Sequence, residues 1–316
     1  MVDWTTTAFL FPGQASQAVG MGQDFAAAYP VARHVFEQAD DLLGIPLSKL
    51  CFEGPEEELN QTLNTQPALY VCSIATLRAL EQEQPDARPA FAAGHSFGEI
   101  TALAAVGALS FEDGLRLTRE RGRAMTDAGL QNPGAMAALL GLNADTVREV
   151  CARARQQTGG VLVLANDNCP GQIVISGDSE TLDVGMALAK EAGAKRALKL
   201  AVSIAAHSPL MVPAAEQFRA ALANTPFDPP PIPVYGNVEA APLGDAAHIR
   251  RELEVQLTNP VRWTESMQAL IAAGVERFVE IGPRDVLSGL LRRIDGTKQS
   301  VQLNSVENLR AFAQSA

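Results

Sequence analysis

The chain has 316 residues, more than a typical single domain, so we expect one large α/β body or a body that carries a smaller inserted unit. Hydrophobic residues make up 47% and charged residues 19% of the chain, a balance that excludes a disordered protein. The formal net charge of -11 excludes the broad basic surface needed for sequence-independent binding to nucleic acid or anionic lipid.

The cysteines are scattered along the chain, and no CxxC pair or histidine cluster has the spacing of metal ligands. They are Cys51, Cys72, Cys151 and Cys169. This pattern predicts neither a zinc site nor a disulfide framework, and it fits a reducing cytoplasm. The first residues have an acid where a signal peptide needs a basic residue, and no stretch approaches the length of a membrane span. We therefore expect a cytoplasmic protein with no membrane or nucleic-acid partner.

Strand and helix patterns alternate in the first part of the chain. In chain order they are a strand at 8–11, helices at 24–43 and 67–83, a strand of small residues at 88–94, and helices at 96–109 and 111–125. Alternation at this spacing predicts a mostly parallel sheet with helices on both faces.

The pattern changes character over residues 134–201, which indicates an insert. Strand, helix, strand, strand, helix and strand follow one another there, the βαββαβ order of a ferredoxin-like unit. The large-body pattern then returns with a strand at 202–207, a helix at 208–222, a proline-rich crossing at 225–235, a helix near 246–258, a strand at 275–281 and a helix at 284–294. We predict a hydrolase-like α/β body of residues 1–133 and 202–316, interrupted by a small subdomain of residues 134–201.

The pentapeptide GHSFG, residues 94–98, matches the nucleophile elbow G-x-S-x-G. In such an elbow a serine lies on a tight turn between a strand and a helix, and only glycine tolerates the close approach of the two elements. The pattern makes Ser96 a candidate nucleophile at the positive end of a helix dipole. A plain strand-to-helix turn is the alternative reading.

A serine hydroxyl needs a base, and His207 is the best candidate among the histidines. An apolar run stops at His207, and Ser208 and Pro209 are typical of a helix start. This predicts that His207 lies at the carboxyl end of a strand, where α/β sheets collect active-site groups. It could instead help to cap the helix. The remaining histidines lie in predicted surface helices or inside the elbow: His34, His248 and His95.

One arginine of the helix at 111–125 falls on the apolar side of that helix. Arg116, Arg119 and Arg123 share a polar stripe, whereas Arg121 lies on the opposite side. A buried guanidinium needs a carboxylate or several carbonyls. The partner is either an internal carboxylate, such as Glu99 or Asp113, or the carboxylate of a substrate.

Seven motifs in order resemble the malonyl-CoA:acyl carrier protein transacylases of fatty-acid synthesis and the related acyltransferase domains of polyketide synthases. They cover nearly the whole chain: FPGQASQAVGMG (11–22), GHSFGE (94–99), the inward Arg121, ANDNCPGQIVISG (165–177), SIAAHSPLM (203–211), QLTNPVRW (256–263) and VEIGPRDVLSGL (279–290). The resemblance implies a hydrolase-like α/β body with a ferredoxin-like insert.

The resemblance also implies a role for each site residue. Ser96 would carry the acyl group, and His207 would act as base and then as acid. A backbone carbonyl near Gln256 would orient the histidine. The backbone N–H groups of Gln14 and Phe97 would hold the oxyanion. No cofactor is implied, since a coenzyme A thioester is itself the substrate.

Arg121 would bind the free carboxylate of a malonyl group, and the acceptor would be the phosphopantetheine thiol of acyl carrier protein. That carrier is acidic in the family, so it needs a basic landing site. Candidates are Lys195, Arg196 and Lys199, and Arg292 and Arg293. Ordinary solvated faces are the alternative for both groups. No strongly apolar exposed stripe is visible, so we expect a monomer.

Several positions depart from the commonest family form, and they concern the choice of acyl group. The bulky Phe97 could exclude an α-methyl branch, whereas the small Ala206 beside the histidine could admit one. The resemblance favours malonyl over methylmalonyl. A serine thioesterase or hydrolase, which would not need Arg121, and a noncatalytic carrier-binding module are the competing functions.

Overall fold

The structure, a computed structural model, describes residues 2–202 and 204–315. The strands are β1 (Thr7–Phe11), β2 (Phe91–Gly94), β3 (Ala135–Leu140), β4 (Leu162–Cys169), β5 (Gln172–Gly177), β6 (Arg196–Lys199), β7 (Val234–Tyr235), β8 (Arg277–Ile281) and β9 (Gln299–Leu303). Short 3-10 turns lie at Trp4–Thr6 and Pro209–Met211.

The helices fill most of the sequence between these strands. They are α1 (Gln23–Ala28), α2 (Pro30–Leu43), α3 (Leu47–Glu53), α4 (Glu56–Leu59), α5 (Thr62–Glu83), α6 (Gly98–Ala105), α7 (Phe111–Gln131), α8 (Ala144–Thr158), α9 (Ser179–Glu191), α10 (Val212–Ala223), α11 (Ala246–Gln256), α12 (Trp263–Ala272), α13 (Val286–Ile294) and α14 (Val306–Ser315). Within the described residues, no helix combines the length and the apolar character that crossing a membrane requires.

The main sheet has the strand order β7-β2-β1-β8-β9, and every neighbouring pair is parallel. Every residue of β1 is buried, as expected for a central strand with both faces covered. Successive side chains of a strand point to opposite faces of the sheet. The side chains of β1 therefore contribute to two separate parts of the core, one on each face. Phe9 and Phe11 pack with α2, α5, α6 and α7, whereas Ala8 and Leu10 pack with α12 and α13.

A second sheet is antiparallel and has the order β4-β5-β3-β6. Its core is shared with α8 and α9, which lie on one face. The βαββαβ order and this strand arrangement are those of a ferredoxin-like unit. The predicted fold class is therefore confirmed, while the boundaries at residues 134 and 201 stay a prediction.

Hydrogen bonds connect the second sheet to the segment between α11 and α12. Asn166 of β4 forms a parallel bridge with Val261, just before α12. The N–H of Val261 donates to the carbonyl of Ala165, and the N–H of Asp167 donates to the carbonyl of Val261, each at 2.9 Å. These bonds bring β4 next to the segment that leads from α11 to α12.

The predicted strand at 202–207 is wrong. Its described residues, 202 and 204–207, lie in no strand, and His207 has a left-handed backbone with φ of 57°. Ala205 is buried and Ala206 is partly buried against the core, and neither lies in a strand. A short apolar run indicates burial but cannot by itself distinguish a buried turn from a strand.

Candidate active site

Ser96 lies on the sharp turn between β2 and α6, and its backbone is left-handed with φ of 54°. A Cβ atom on Gly94 would lie 1.9 Å from the carbonyl oxygen of Gly98, and one on Gly98 would lie 2.5 Å from the carbonyl oxygen of Phe11. Both glycines are therefore required by close backbone contacts. The predicted elbow is present, with a strand before it and a helix after it.

The hydroxyl of Ser96 lies 2.8 Å from Nε2 of His207. On the other side of the ring, Nδ1 lies 2.9 Å from the carbonyl oxygen of Gln256 and 3.1 Å from that of Asn259. Carbonyl oxygens only accept hydrogen bonds, so Nδ1 carries the proton and Nε2 is free to accept one from Ser96. The imidazole thus has the tautomer of a general base.

His207 is nearly fully buried, with 3% of its surface exposed. Burial, and then the nearby charge of Arg121, lower its pKa to about 3, so the ring is neutral at pH 7. The following residue caps the next turn: Ser208 accepts a hydrogen bond from the N–H of Leu210. The capping role considered for His207 belongs to Ser208.

Arg121 extends from α7 into the same site and is 1% exposed. Its Nη2 donates to Ser96 Oγ at 3.1 Å and to Gln256 Oε1 at 2.9 Å. Its Nη1 donates to Gln66 Oε1 at 3.1 Å and lies 3.2 Å from the sulfur of Met125. A guanidinium held from two sides by neutral acceptors keeps its positive charge available to an anion.

The internal carboxylates considered as partners of Arg121 are bonded elsewhere. Glu99 accepts from the N–H of Asn237 at 2.9 Å and from Nε2 of Gln256 at 3.0 Å, and Asp113 accepts from the hydroxyl of Ser110. Burial lowers the pKa of Arg121 to about 9, which still leaves it charged at neutral pH. Burial, followed by the neighbouring Glu252, raises the pKa of Glu99 well above its usual range.

Two backbone groups, the N–H groups of Gln14 and Phe97, are expected to hold an oxyanion. Within the described part of the chain, neither donates a hydrogen bond to a protein acceptor. The side chain of Phe97 is buried in the main core. The side chain of Gln14 accepts from Nε2 of Gln66 at 3.1 Å, which links the FPGQ turn to Arg121 through Gln66.

The other histidines lie away from the hydroxyl of Ser96, as the sequence predicts. His95 turns aside, with Nε2 2.8 Å from Oδ1 of Asn168 and its ring against Trp263. His34 is exposed on α2, and His248 lies on α11 beside Glu239.

Sequence reasoning missed several residues that contact Ser96, His95, His207 or Arg121. These are Gln66, Asn168, Asn237 and Asn259. All are neutral amides, and their type alone carries no chemical signature. The motif QLTNP does contain Asn259, but only its backbone carbonyl reaches His207.

One residue from each group of basic candidates for carrier docking, Arg196 and Arg293, lies at the same end of the second sheet. Leu140 of β3 pairs with Arg196 on one side and with Gln172 on the other. Arg293 donates to Oε1 of Gln172 at 2.6 Å and to the carbonyl of Pro170 at 3.0 Å. Arg196 and Arg293 are both exposed, so this edge presents two cations from distant parts of the sequence.

Comparisons with known proteins agree with this geometry. The family model described as the acyl transferase domain matches residues 8–309. The malonyl CoA-acyl carrier protein transacylase of Bacillus subtilis (strain 168) is 44% identical over 307 residues, covering 97% of this chain and 96% of the relative.

Solved structures of related proteins resemble this chain in sequence and in fold. An acyl carrier protein S-malonyltransferase from Vibrio cholerae is 42% identical with a TM-score of 0.93, covering 97% of this chain and 99% of that one. A malonyl-transacylase solved with its type II polyketide synthase acyl-carrier protein is 40% identical with a TM-score of 0.94, covering 98% and 99%. The chain therefore belongs to the acyl transferase family, and its resemblance to the malonyl-CoA:acyl carrier protein transacylases is confirmed.

Proposed function

We propose that the protein transfers a malonyl group from malonyl-CoA to the phosphopantetheine thiol of acyl carrier protein, through an ester on Ser96. The observation that carries the proposal is the position of Arg121, a buried cation 3.1 Å from the candidate nucleophile. A fixed guanidinium at this distance suits an acyl group that ends in a carboxylate, which it can bind with two parallel hydrogen bonds.

In the first half-reaction, His207 takes the proton of Ser96 as the serine oxygen attacks the thioester carbonyl. The oxyanion that forms is held by the N–H groups of Gln14 and Phe97, whose lack of an internal acceptor supports this role. The carbon–sulfur bond then breaks, and His207 gives its proton to the departing sulfur of coenzyme A. A malonyl ester on Ser96 remains.

In the second half-reaction, the carrier thiol enters the vacated site and gives its proton to His207. Its sulfur attacks the ester carbonyl, and the serine oxygen leaves with the proton that His207 returns. The products are malonyl carrier protein and free Ser96. Two substrates that use one site in turn give ping-pong kinetics.

Gln256 connects the catalytic and the binding groups in this scheme. Its backbone carbonyl accepts from Nδ1 of His207, while its side chain accepts from Arg121 and donates to the carbonyl of Ser96 at 3.2 Å. A neutral carbonyl in this position orients the imidazole of His207 and, unlike a carboxylate, adds no negative charge to the site.

A serine hydrolase is the competing function that shares Ser96 and His207. A hydrolase of neutral esters has no use for a buried arginine against its nucleophile, and burying a cation whose hydrogen-bond partners are neutral is costly. The position of Arg121 therefore favours transfer of a carboxylated acyl group.

We also propose that the reaction needs no cofactor, because a nucleophile, a base and oxyanion donors complete the acyl-transfer chemistry. A cytoplasmic location and a monomeric state are further parts of the proposal. The four cysteines, all buried free thiols, support a reducing compartment.

Intact-protein mass spectrometry after incubation with malonyl-CoA tests the function directly. We expect a malonyl adduct that Ser96→Ala abolishes and that acyl carrier protein discharges faster than water does. Fast discharge by water would instead indicate a hydrolase, and the absence of an adduct on the wild-type protein would indicate a noncatalytic module.

A further inference from the structure

The strand pairing that supports the elbow ends before it reaches Ser96. In the β2–β7 pair, Ala92 lies opposite Val234 and Ala93 opposite Tyr235. If this register continued by two more residues, Asn237 would lie opposite His95. The backbone of β7 turns away at that point, because the N–H of Gly236 donates to the carbonyl of Ala241 at 2.9 Å.

Beyond the end of the β2–β7 backbone pairing, the side chain of Asn237 makes the next two hydrogen bonds to the chain of β2 and the elbow. Its Oδ1 accepts from the N–H of Ser96 at 2.7 Å, and its Nδ2 donates to the carbonyl of Gly94 at 2.7 Å. In a parallel ladder, one residue bonds to the two residues that flank its partner. The amide of Asn237 makes this pair of bonds across His95, in place of a peptide group.

Asn237 is itself fixed by its surroundings and is 1% exposed. Its N–H donates to Oε2 of Glu99 at 2.9 Å, and its carbonyl accepts from the N–H of Arg262 at 2.9 Å. Nε2 of Gln256 donates both to Glu99 and to the carbonyl of Ser96. Side chains therefore hold both the N–H and the carbonyl of the nucleophile.

We propose that Asn237 is a positioning residue, whose side-chain amide holds Ser96 in its left-handed conformation and so aims its hydroxyl at His207. This inference rests on the proposed function. A left-handed backbone is costly for a residue with a Cβ atom, so Ser96 keeps it only where neighbouring groups impose it. The next peptide carries the N–H of Phe97, so the same contact also orients an oxyanion donor.

Single-turnover acylation by malonyl-CoA tests the inference in Asn237→Ala. A misplacement of about 1 Å can slow an enzyme roughly 100-fold, so we expect the saturated acylation rate constant to fall about 10- to 100-fold. All of the variant protein should still become acylated by the end of the reaction. The preference for malonyl-CoA over acetyl-CoA stays unchanged, because Asn237 does not contact Arg121. Asn224→Ala, at an exposed asparagine after α10, is the matched control.

Asn237→Asp supplies a second readout, which also decides the question if the alanine variant does not fold. An ionised aspartate still accepts from Ser96 but turns a carboxylate oxygen toward the carbonyl of Gly94. When protonated, it can donate to that carbonyl as the asparagine does. The ratio of its acylation rate constant to that of the wild type should therefore rise as the pH falls from about 8 to about 5.5, since burial raises the pKa of such a carboxyl.

The outcomes separate the two proposals. Failure of the wild-type protein to form an adduct overturns the function and with it this inference. Normal wild-type acylation with an unchanged rate constant in Asn237→Ala overturns the inference alone. So does a smaller acylated fraction that reacts at the normal rate, since that indicates lost folded protein. A ratio for Asn237→Asp that does not change with pH also overturns it.

Discussion

Nη2 of Arg121 lies 3.1 Å from Oγ of Ser96, so the buried cation and the candidate nucleophile are already in contact before a substrate arrives. The same nitrogen is anchored by Oε1 of Gln256 at 2.9 Å. A carboxylate that entered this site would therefore meet a guanidinium whose orientation is already fixed, which would lower the entropy lost on binding.

Arg121→Ala should lose malonyl transfer selectively. A hydrogen bond to a charged group contributes roughly 1.5 to 3 kcal/mol, so we expect kcat/KM for malonyl-CoA to fall at least about 10- to 150-fold. The value for acetyl-CoA should fall less, so the variant gains relative activity on uncharged acyl groups. Arg123→Ala, on the exposed side of the same helix, is the control. An unchanged preference for malonyl-CoA in the variant would rule out this role of Arg121.

His207 should make the stability of the protein depend on pH. Its pKa is about 3 in the folded protein, against 6.5 as the ordinary value, so the unfolded chain binds the extra proton first as the pH falls. The stabilisation is complete above pH 6.5 and is lost toward pH 3. At about pH 5 the wild type should lose on the order of 2 kcal/mol relative to a variant without this group.

Urea unfolding of the wild type and of His207→Gln, at about pH 7 and about pH 5, measures this difference. Glutamine does not titrate, and His95 is present in both proteins. If the difference between the two unfolding free energies is the same at both pH values, the buried neutral state of His207 is contradicted.

Gly94→Ala should destabilise the protein severely. The added methyl group would lie 1.9 Å from the carbonyl oxygen of Gly98, and neither backbone can move without opening the elbow. We expect a cost of about 3 kcal/mol or more in the free energy of unfolding. Gly107→Ala is the control, since its methyl group meets no atom within 4 Å and only its φ of 82° is unfavourable, which costs about 1 kcal/mol. Equal costs at the two positions would contradict the steric argument.

Charge reversal at Arg196 and Arg293 should slow the second half-reaction only. Both cations lie at the end of the second sheet where Leu140 pairs with Arg196 and Gln172. Rim charges mainly raise association rates, so we expect discharge to acyl carrier protein to slow about 10-fold at low salt, with less effect at high salt. Self-acylation by malonyl-CoA should be unaffected.

Arg153→Glu is the control for this experiment, because Arg153 is an exposed arginine on α8, the helix that packs on one face of that sheet. An equal slowing of both half-reactions in the Arg196 and Arg293 variants would exclude a docking role for this edge.

Much of the fold and of the site can be predicted from the sequence because the relevant signals are local. GHSFG predicts its own turn, since Gly94 and Gly98 are required by contacts within a few residues or with the adjacent strand. The inward direction of Arg121 follows from helical periodicity, and the βαββαβ order follows from the alternation of patterns.

The rest depends on contacts between distant segments. The left-handed turn at His207 is imposed by its surroundings, and the apolar residues before it resemble a strand in sequence. Asn237 lies two residues after the proline-rich crossing, and nothing in its immediate sequence indicates that its amide reaches a turn 141 residues away. Gln66 is one polar residue in a buried helix, and its contact with Arg121 requires α5 and α7 to pack together.

The two carbonyls bonded to Nδ1 of His207 affect the charge that the site presents to an acid. In many serine enzymes an aspartate occupies this place, and its anion would partly cancel a cation nearby. Here two neutral dipoles, those of the Gln256 and Asn259 carbonyls, support the imidazole, so no carboxylate at this place reduces the positive potential of Arg121. Under the proposed roles of His207 and Arg121, main-chain dipoles in place of a carboxylate would let one site both activate an alcohol and attract a negatively charged acyl tail.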